Sequence, residues 1–363
     1  FGYYEPQYMG VILNDEYSQS FSNKLRIDLQ STEIENVTFA ANFDYITYHG
    51  RTDWNLLEFF PDDISDQVPS IFYPLYNYKY DDTLFLDNAY LKMAFSKFDL
   101  TLGKQQISLG TGYAWNPTDL FNVKDVADPT YEQPGHNAAR LDIAFTSRYS
   151  ATAIYLPENS WLDSGKFLKL GGKLSHFDYS LLFIEKQWQL TDYTSLDINY
   201  SKRRLYGGDI VGELFGLGVW SEYGFNTLEH HSDFWEILFG MDYTLDNGTY
   251  LMAEYFHNEL AKNDYRDYDM NDWLRYFAAE SRTISRDNLY LYFDFPLTDL
   301  IHCGNSTIIS LSDGSFSLVP TVTYNLSQNV EINLFTGINF GSEGKAFSSN
   351  QGYSGILRFR VYF

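Results

Sequence analysis

The chain has 363 residues, enough for two or three soluble domains, yet 31 Tyr, 29 Phe and 7 Trp accompany a mean hydropathy of −0.32. A soluble core does not call for so many aromatics with so few aliphatics. The formal charge of −23 excludes nucleic acid as a partner, and the single Cys303 excludes a disulfide framework or a cysteine-based zinc site. No apolar run approaches the roughly 18 residues of a membrane-spanning helix.

Taken in order, the chain breaks into short alternating segments. They are Tyr8–Asn14, Lys24–Gln30, Asn36–Tyr48, Leu84–Lys97, Phe98–Ser108, Arg140–Ser147, Tyr149–Leu156, Phe167–Ser175 and Asp178–Leu190. Then follow Arg204–Leu214, Gly216–Asn226, Phe234–Leu245, Tyr250–Leu260, Arg286–Phe295, Ser306–Ser312, Ser315–Asn325, Val330–Phe340 and Tyr353–Phe363. Tyr8–Asn14 is the least strand-like of them. Asp246-Asn247-Gly248 is a strong hairpin turn, because Asn-Gly supplies positive φ. Long spacers (His49–Thr83, Gly110–Ala139, Pro157–Lys166, Thr191–Arg203, Ala261–Ser285 and Gly341–Gly352) alternate with very short ones over much of the chain.

That asymmetry predicts an all-β fold: one antiparallel up-and-down transmembrane barrel over residues 1–363, with short periplasmic turns and long outer loops. If the last strand runs down to the periplasm, parity requires an even count. About eighteen strands fit, with sixteen as the alternative; at about eleven residues each they leave ample chain for the loops.

Side chains alternate across a strand, and several strands here separate into an apolar face and a charged one. Phe234–Tyr243 sets Trp235, Ile237, Phe239 and Met241 against Glu236 and Asp242; Phe167–Ser175 sets Leu168, Leu170 and Leu174 against Lys169 and Lys173. A charge on the lipid face costs about 2–4 kcal/mol at the midplane, so segregated charges mark the lumen. The expected pore lining is Arg140, Lys169, Lys173, Arg204, Arg286, Arg358 and Arg360, mixed with Glu222, Glu236, Asp242, Glu254 and Asp294. An eighteen-strand lumen is too wide for side chains to fill and is wet unless loops plug it.

The final segment, YSGILRFRVYF, ends on an aromatic residue with Phe359, Val361 and Phe363 on one face and Arg358 and Arg360 on the other. It resembles the C-terminal strand of bacterial outer-membrane barrels. That resemblance implies recognition by the barrel-assembly machinery and residence among outer-membrane lipids. The opening at Phe1 carries no signal-peptide pattern, in keeping with a leader removed on export or lying outside this sequence.

Gly103–Asn122 (GKQQISLGTGYAWNPTDLFN) is the most motif-like stretch. It resembles a segment of some proteobacterial porin-like families, among them a large uncharacterised barrel family and the alginate-export barrels. There a G-(R/K)-Q strand precedes a glycine-rich bend and an Asn-Pro-(T/L)-Asp-Leu turn. The resemblance implies an outer-membrane channel. The pore of the alginate exporters is strongly arginine-rich, whereas the charges here are mixed and acidic overall.

Two readings attach to this stretch. Asn116-Pro117-Thr118-Asp119 is a turn signal in which Asp119 caps a short helix. Alternatively, the loop folds inward and carries Asp119, Asp125, Asp128 and Glu132 against basic wall residues, setting a transverse field that screens solutes by charge. Asp264, Asp267, Asp269 and Asp272 crowd another loop, but without EF-hand spacing or its central glycine; they form only a weak calcium candidate beside the simpler reading of a solvated acidic loop. No Gly-x-Ser-x-Gly or His-Glu-x-x-His motif occurs. No enzyme activity and no cofactor are therefore expected. The sequence predicts a porin-like channel for passive diffusion of small or charged solutes; the alternative is a barrel that houses or anchors a partner envelope protein.

Overall fold

The protein is described by a computed structural model covering all residues except 14, 32, 33, 35, 126, 127, 129–131, 193–196 and 230, with side chains at 190–192, 197 and 199 also left out. Strands β1 (Gly2–Leu13), β2 (Glu16–Gln30) and β3 (Val37–Gly50) open the chain, and a small ribbon, β4 (Asp53–Asn55) with β5 (Asn77–Lys79), follows. Next come β6 (Thr83–Ala94), β7 (Phe98–Gln106), β8 (Gly135–Ala144), β9 (Tyr149–Leu156), β10 (Gly165–Leu174) and β11 (Phe177–Asp192). After these run β12 (Asp197–Leu214), β13 (Leu217–Leu228), β14 (Phe234–Thr244), β15 (Tyr250–Asn258) and β16 (Asp287–Pro296). The last are β17 (Ile301–Ser310), β18 (Phe316–Ser327), β19 (Val330–Phe340) and β20 (Tyr353–Tyr362).

All but β4 and β5 join one antiparallel sheet of eighteen strands, each bonded to its sequence neighbours. The sheet closes by pairing β1 with β20, from Tyr3 opposite Tyr362 to Ile12 opposite Tyr353. The count is eighteen, not sixteen. The termini meet at the turn end, where Gly2 and Phe363 exchange backbone hydrogen bonds of 3.0 Å. Gly248 takes φ +83° in the tight turn between β14 and β15, which Asn-Gly had signalled.

Three boundaries differ most from the sequence expectation. β1 starts at Gly2 rather than Tyr8 and β2 at Glu16 rather than Lys24, so the first hairpin turns tightly at Asp15 (φ 60°). Glu5 and Gln7 hide the strand character of β1 in the sequence; inside the barrel they meet Arg360 and Arg358. The expected spacer at 191–203 is mostly strand, because β11 and β12 rise as an unusually tall hairpin. Above the lipid a strand need not be apolar, so its outer turns lack the alternating signal.

The wall carries a belt of exposed apolar side chains outside, among them Leu170, Leu181, Phe239, Met241, Leu291, Phe293 and Leu357. At the loop end, residues 51–82, 259–286 and 341–352 pack together. Leu57, Phe60, Ile64 and Val68, Met270, Trp273 and Leu274, and Ala346 form one buried cluster there. Helix α1 (Asp62–Ser65) and helix α2 (Met270–Phe277) belong to this roof. Asp269 caps α2 and Asp272 returns a bond to the Asp269 N–H; Asp264 accepts from the Arg266 N–H. These carboxylates of the weak calcium candidate serve helix starts, and Asp267 sits in the short helical turn beside them. Among the described residues no cluster with metal-site geometry is found.

Candidate solute pathway

In the segment between β7 and β8, residues 107–125, 128 and 132–134 fold into the barrel and are held on two sides. On the first, Ile107, Leu109 and Phe121 bury against Ile154, Phe167, Leu182, Ile184 and Leu205 of the wall. Trp115 stacks on Phe256 at 5.3 Å and packs with Leu238 and Tyr290.

Two buried wall carboxylates then grip the loop backbone. Glu254 accepts from the N–H groups of Tyr113 (2.7 Å), Ala114 (2.9 Å) and Trp115 (3.0 Å), and from the Trp220 indole (2.8 Å). Glu222 accepts from the N–H groups of Thr111 and Gly112, from the Asn116 amide at 3.0 Å and from the Thr118 hydroxyl at 2.9 Å. Both are at most 1% exposed. A charge can be buried only with such dense donation. Gly112 is required by this bend: a Cβ there would lie 1.9 Å from the Trp115 carbonyl oxygen.

Asp119 is buried inside the loop, accepting from the N–H groups of Phe121 (2.8 Å) and Asn122 (3.1 Å). It holds the turn and presents no free charge to a pore. Glu236 is also buried and binds Arg282 at 2.7 Å and Arg203 at 3.4 Å. Arg282, from the roof segment 259–286, donates to the Asp119 carbonyl as well (2.5 Å). One guanidinium thus ties roof, wall and inserted loop together. Sequence reasoning missed Arg282, because a loop arginine carries no periodic signal.

The far side of the loop reaches the opposite wall, built from β1, β2 and β20. Asp128 pairs with Arg358 at 2.9 Å. Glu132 pairs with Lys24 at 2.8 Å, lies 3.6 Å from Arg26 and 3.8 Å from Arg360, and accepts from the Tyr3 hydroxyl at 2.8 Å. Burial by itself would raise the Glu132 carboxyl, but Lys24, Tyr3 and Arg26 together hold it below its ordinary value. Behind the cations stand Glu5, Asp28, Asp44 and Asp87, so the column is a mixed-charge network. Glu5, Lys24 and Arg26 were not among the expected lining residues: Glu5 precedes the expected start of β1, and Lys24 and Arg26, though inside the expected strand Lys24–Gln30, were not assigned to a face. Asp125 lies near Tyr276 of α2, whose hydroxyl is pushed up to about 12, first by burial and then by this charge.

The loop therefore spans the lumen and leaves a cavity on each side. One, about 700 Å³, is lined by Phe121, His136, Lys186, Trp188, Arg203 and Arg282, with Glu158 and Asp163 at its rim. The other, about 340 Å³, is lined by Lys24, Tyr48, Arg358, Arg360, Asp128 and Glu132.

The remaining expected lining residues scatter. Arg140 pairs with Asp142 at 2.8 Å and Lys169 with Asp209 at 3.2 Å. Lys173 lies exposed at the turn end beside Asp178 (3.6 Å), Asp242 accepts from Tyr250 (2.7 Å), and Asp294 meets His302 (2.8 Å). Arg286 sits just outside β16 and bonds the Ala261 carbonyl at 3.1 Å. Arg204 is corrected: Leu205 and Arg203 face inward, so Arg204 points out of the barrel, toward Glu185. Phe359, Val361 and Phe363 lie on the outer face of the last strand, opposite Arg358 and Arg360.

No family model matches this chain, and no curated protein is similar to it in sequence. Solved structures are similar in fold. OccAB1 of Acinetobacter baumannii superposes with a TM-score of 0.60 at 9% identity, over 99% of this chain and 95% of that one. OccAB4 of the same species gives 0.59 at 9% identity, over 99% and 96%. A BenF-like porin from Pseudomonas fluorescens gives 0.58 at 9% identity, over 99% and 97%. At these identities the likeness is one of architecture: the chain has the eighteen-strand barrel fold of outer-membrane porins.

Proposed function

We propose that the protein is an outer-membrane channel for passive diffusion of small charged solutes, which pass on either side of the inserted loop. The observation that carries this is the loop itself, anchored on opposite walls with a charged cavity on each flank. The porin fold of the similar structures, one of them BenF-like, agrees with it. In this reading the loop end faces outward and the turn end lies in the periplasm. Asp128, Glu132, Lys24, Arg358 and Arg360 screen solutes in one passage, and Lys186, Arg203 and Arg282 in the other. Arg140, Lys169, Asp242 and Asp294 line the lumen below the loop.

Transport here is not catalysis, and no cofactor takes part. The C-terminal strand, ending Phe359, Val361 and Phe363, is the element offered to the barrel-assembly machinery. The lumen holds a segment of its own chain, which favours a channel over a sleeve for another envelope protein. Planar-bilayer recording of the purified protein tests the proposal: discrete conductance steps are expected, and conductance indistinguishable from the bare bilayer would overturn it.

A further inference from the structure

The apolar belt on the outer wall stops along a definite line. Toward the loop end, outward residues run Leu174, Leu170, Leu168 and then Lys166 on β10; on β11 they run Leu181, Phe183 and then Glu185. On β12 they run Ile210, Tyr206 and then Arg204 and Lys202. Register places Lys166 beside Glu185, and Glu185 beside Arg204. The Glu185 carboxylate accepts from Lys166 Nζ at 2.9 Å and from Arg204 Nε at 3.0 Å. Three cations surround one anion, a local surplus of positive charge on a chain of net charge −23.

The two terminal nitrogens of Arg204 make no bond among the described residues, and its side chain is 40% exposed. Next to the patch, Tyr155 stacks on Trp161 at 5.1 Å, and Lys166 lies 4.9 Å from the Trp161 ring centre. Trp161 and Leu162 are both exposed. Charge on a lipid-facing wall is tolerated only where hydrocarbon gives way to headgroups. Aromatic side chains favour that same depth.

We infer that Lys166, Lys202 and Arg204 form a docking site for the phosphate of lipid A, the phosphorylated glycolipid of the outer leaflet. This rests on the outer-membrane reading above, but not on the barrel being open. A guanidinium whose terminal donors have no partner among the described residues, beside two ammonium groups, matches the geometry and charge of a phosphate. Glu185 orients the Lys166 and Arg204 heads without cancelling them. Trp161 and Leu162 cover the first methylenes and sugar faces next to the phosphate, and Leu168 and Phe183 meet the acyl chains below. The acidic surface elsewhere repels the same headgroup, which confines docking to this sector.

The test is native mass spectrometry of the detergent-purified full chain titrated with diphosphorylated lipid A. Heat-modifiable mobility on gels confirms a folded barrel in each sample. Wild type is expected to retain one lipid A at least about tenfold more tightly than K166Q/K202Q/R204Q. E185Q, which keeps all three cations, is expected to bind no more weakly than wild type. Should the triple variant not fold, R204Q alone is expected to weaken binding about threefold or more. Equal retention by the cation variants would overturn the site, as would equal retention of dephosphorylated lipid A. Equal retention of phosphatidylglycerol would overturn the assignment to lipid A. Bilayer conductance is recorded separately, so a closed barrel that still binds lipid A distinguishes failure of the channel reading from failure of this one.

Discussion

The two walls that hold the inserted loop do so by different physics. On the β13–β15 side, Glu222 and Glu254 are sealed from water and grip the loop through its backbone N–H groups. On the β1–β2–β20 side, the partly exposed Asp128 and Glu132 meet the partly exposed Lys24 and the buried Arg358 through side chains. Charge-assisted bonds in a dry site are strong and hard to replace, while ion pairs with a partly exposed member are weaker and more open to screening by salt. The first wall fixes where the loop sits; the second sets the charge that a solute meets, at little cost to the fold.

The largest effect is expected from removing the sealed anchor. Glu254→Ala leaves three loop N–H groups and the Trp220 indole without their acceptor, and breaking such buried charged bonds costs at least about 3 kcal/mol. Limited proteolysis is expected to cut loop 107–134, with conductance becoming larger and noisy; an intact loop and unchanged conductance would show that the grip is dispensable.

Next is Gly112→Ala, whose new methyl group meets the Trp115 carbonyl. A loss of about 1–3 kcal/mol in urea unfolding is expected, with less effect on conductance than Glu254→Ala has. A neutral substitution would mean that the bend relaxes freely.

Smaller in stability but specific in function is Asp128→Asn with Glu132→Gln. Stability should move by about 1 kcal/mol or less. Reversal potentials in a salt gradient should shift toward anions, since Lys24, Arg358 and Arg360 lose their partners on the loop while Glu5 and Asp44 remain behind them. Arg204→Gln is the matched control, because that side chain lies outside; a shift of similar size there would contradict its placement.

The smallest effect is that of pH. Glu132 is held below its ordinary value of 4.5, so its contribution is complete above that value and disappears as pH falls through the depressed one. Current noise should rise only in that acid range, and more at high salt. Glu132→Gln should abolish the dependence.

This contrast also bounds what the sequence revealed. Strand number and antiparallel order were legible because lipid imposes a strict alternation, as in Phe239 and Met241 against Glu236 and Asp242. Above the lipid belt that rule lapses: Arg204 was assigned inward by a test that holds only at membrane depth, and the tall β11–β12 hairpin read as a loop. In the lumen, alternation identified Glu222, Glu254 and Arg358 as inward, but not what they do. Glu222 and Glu254 hold main chain, and main-chain N–H groups carry no sequence signal. Asp119 was legible as a turn residue, since Asn-Pro-Thr-Asp encodes the turn locally. Arg282 became meaningful only once the roof segment was seen beside Glu236.

The most direct test of the central claim is single-channel conductance of wild type against a variant in which residues 111–131 are replaced by a short Gly-Ser linker. Folding of both is verified by heat-modifiable mobility. If the loop divides the lumen, the variant should conduct several-fold more and lose most of its ion selectivity. Equal conductance and selectivity in the two proteins would contradict the account.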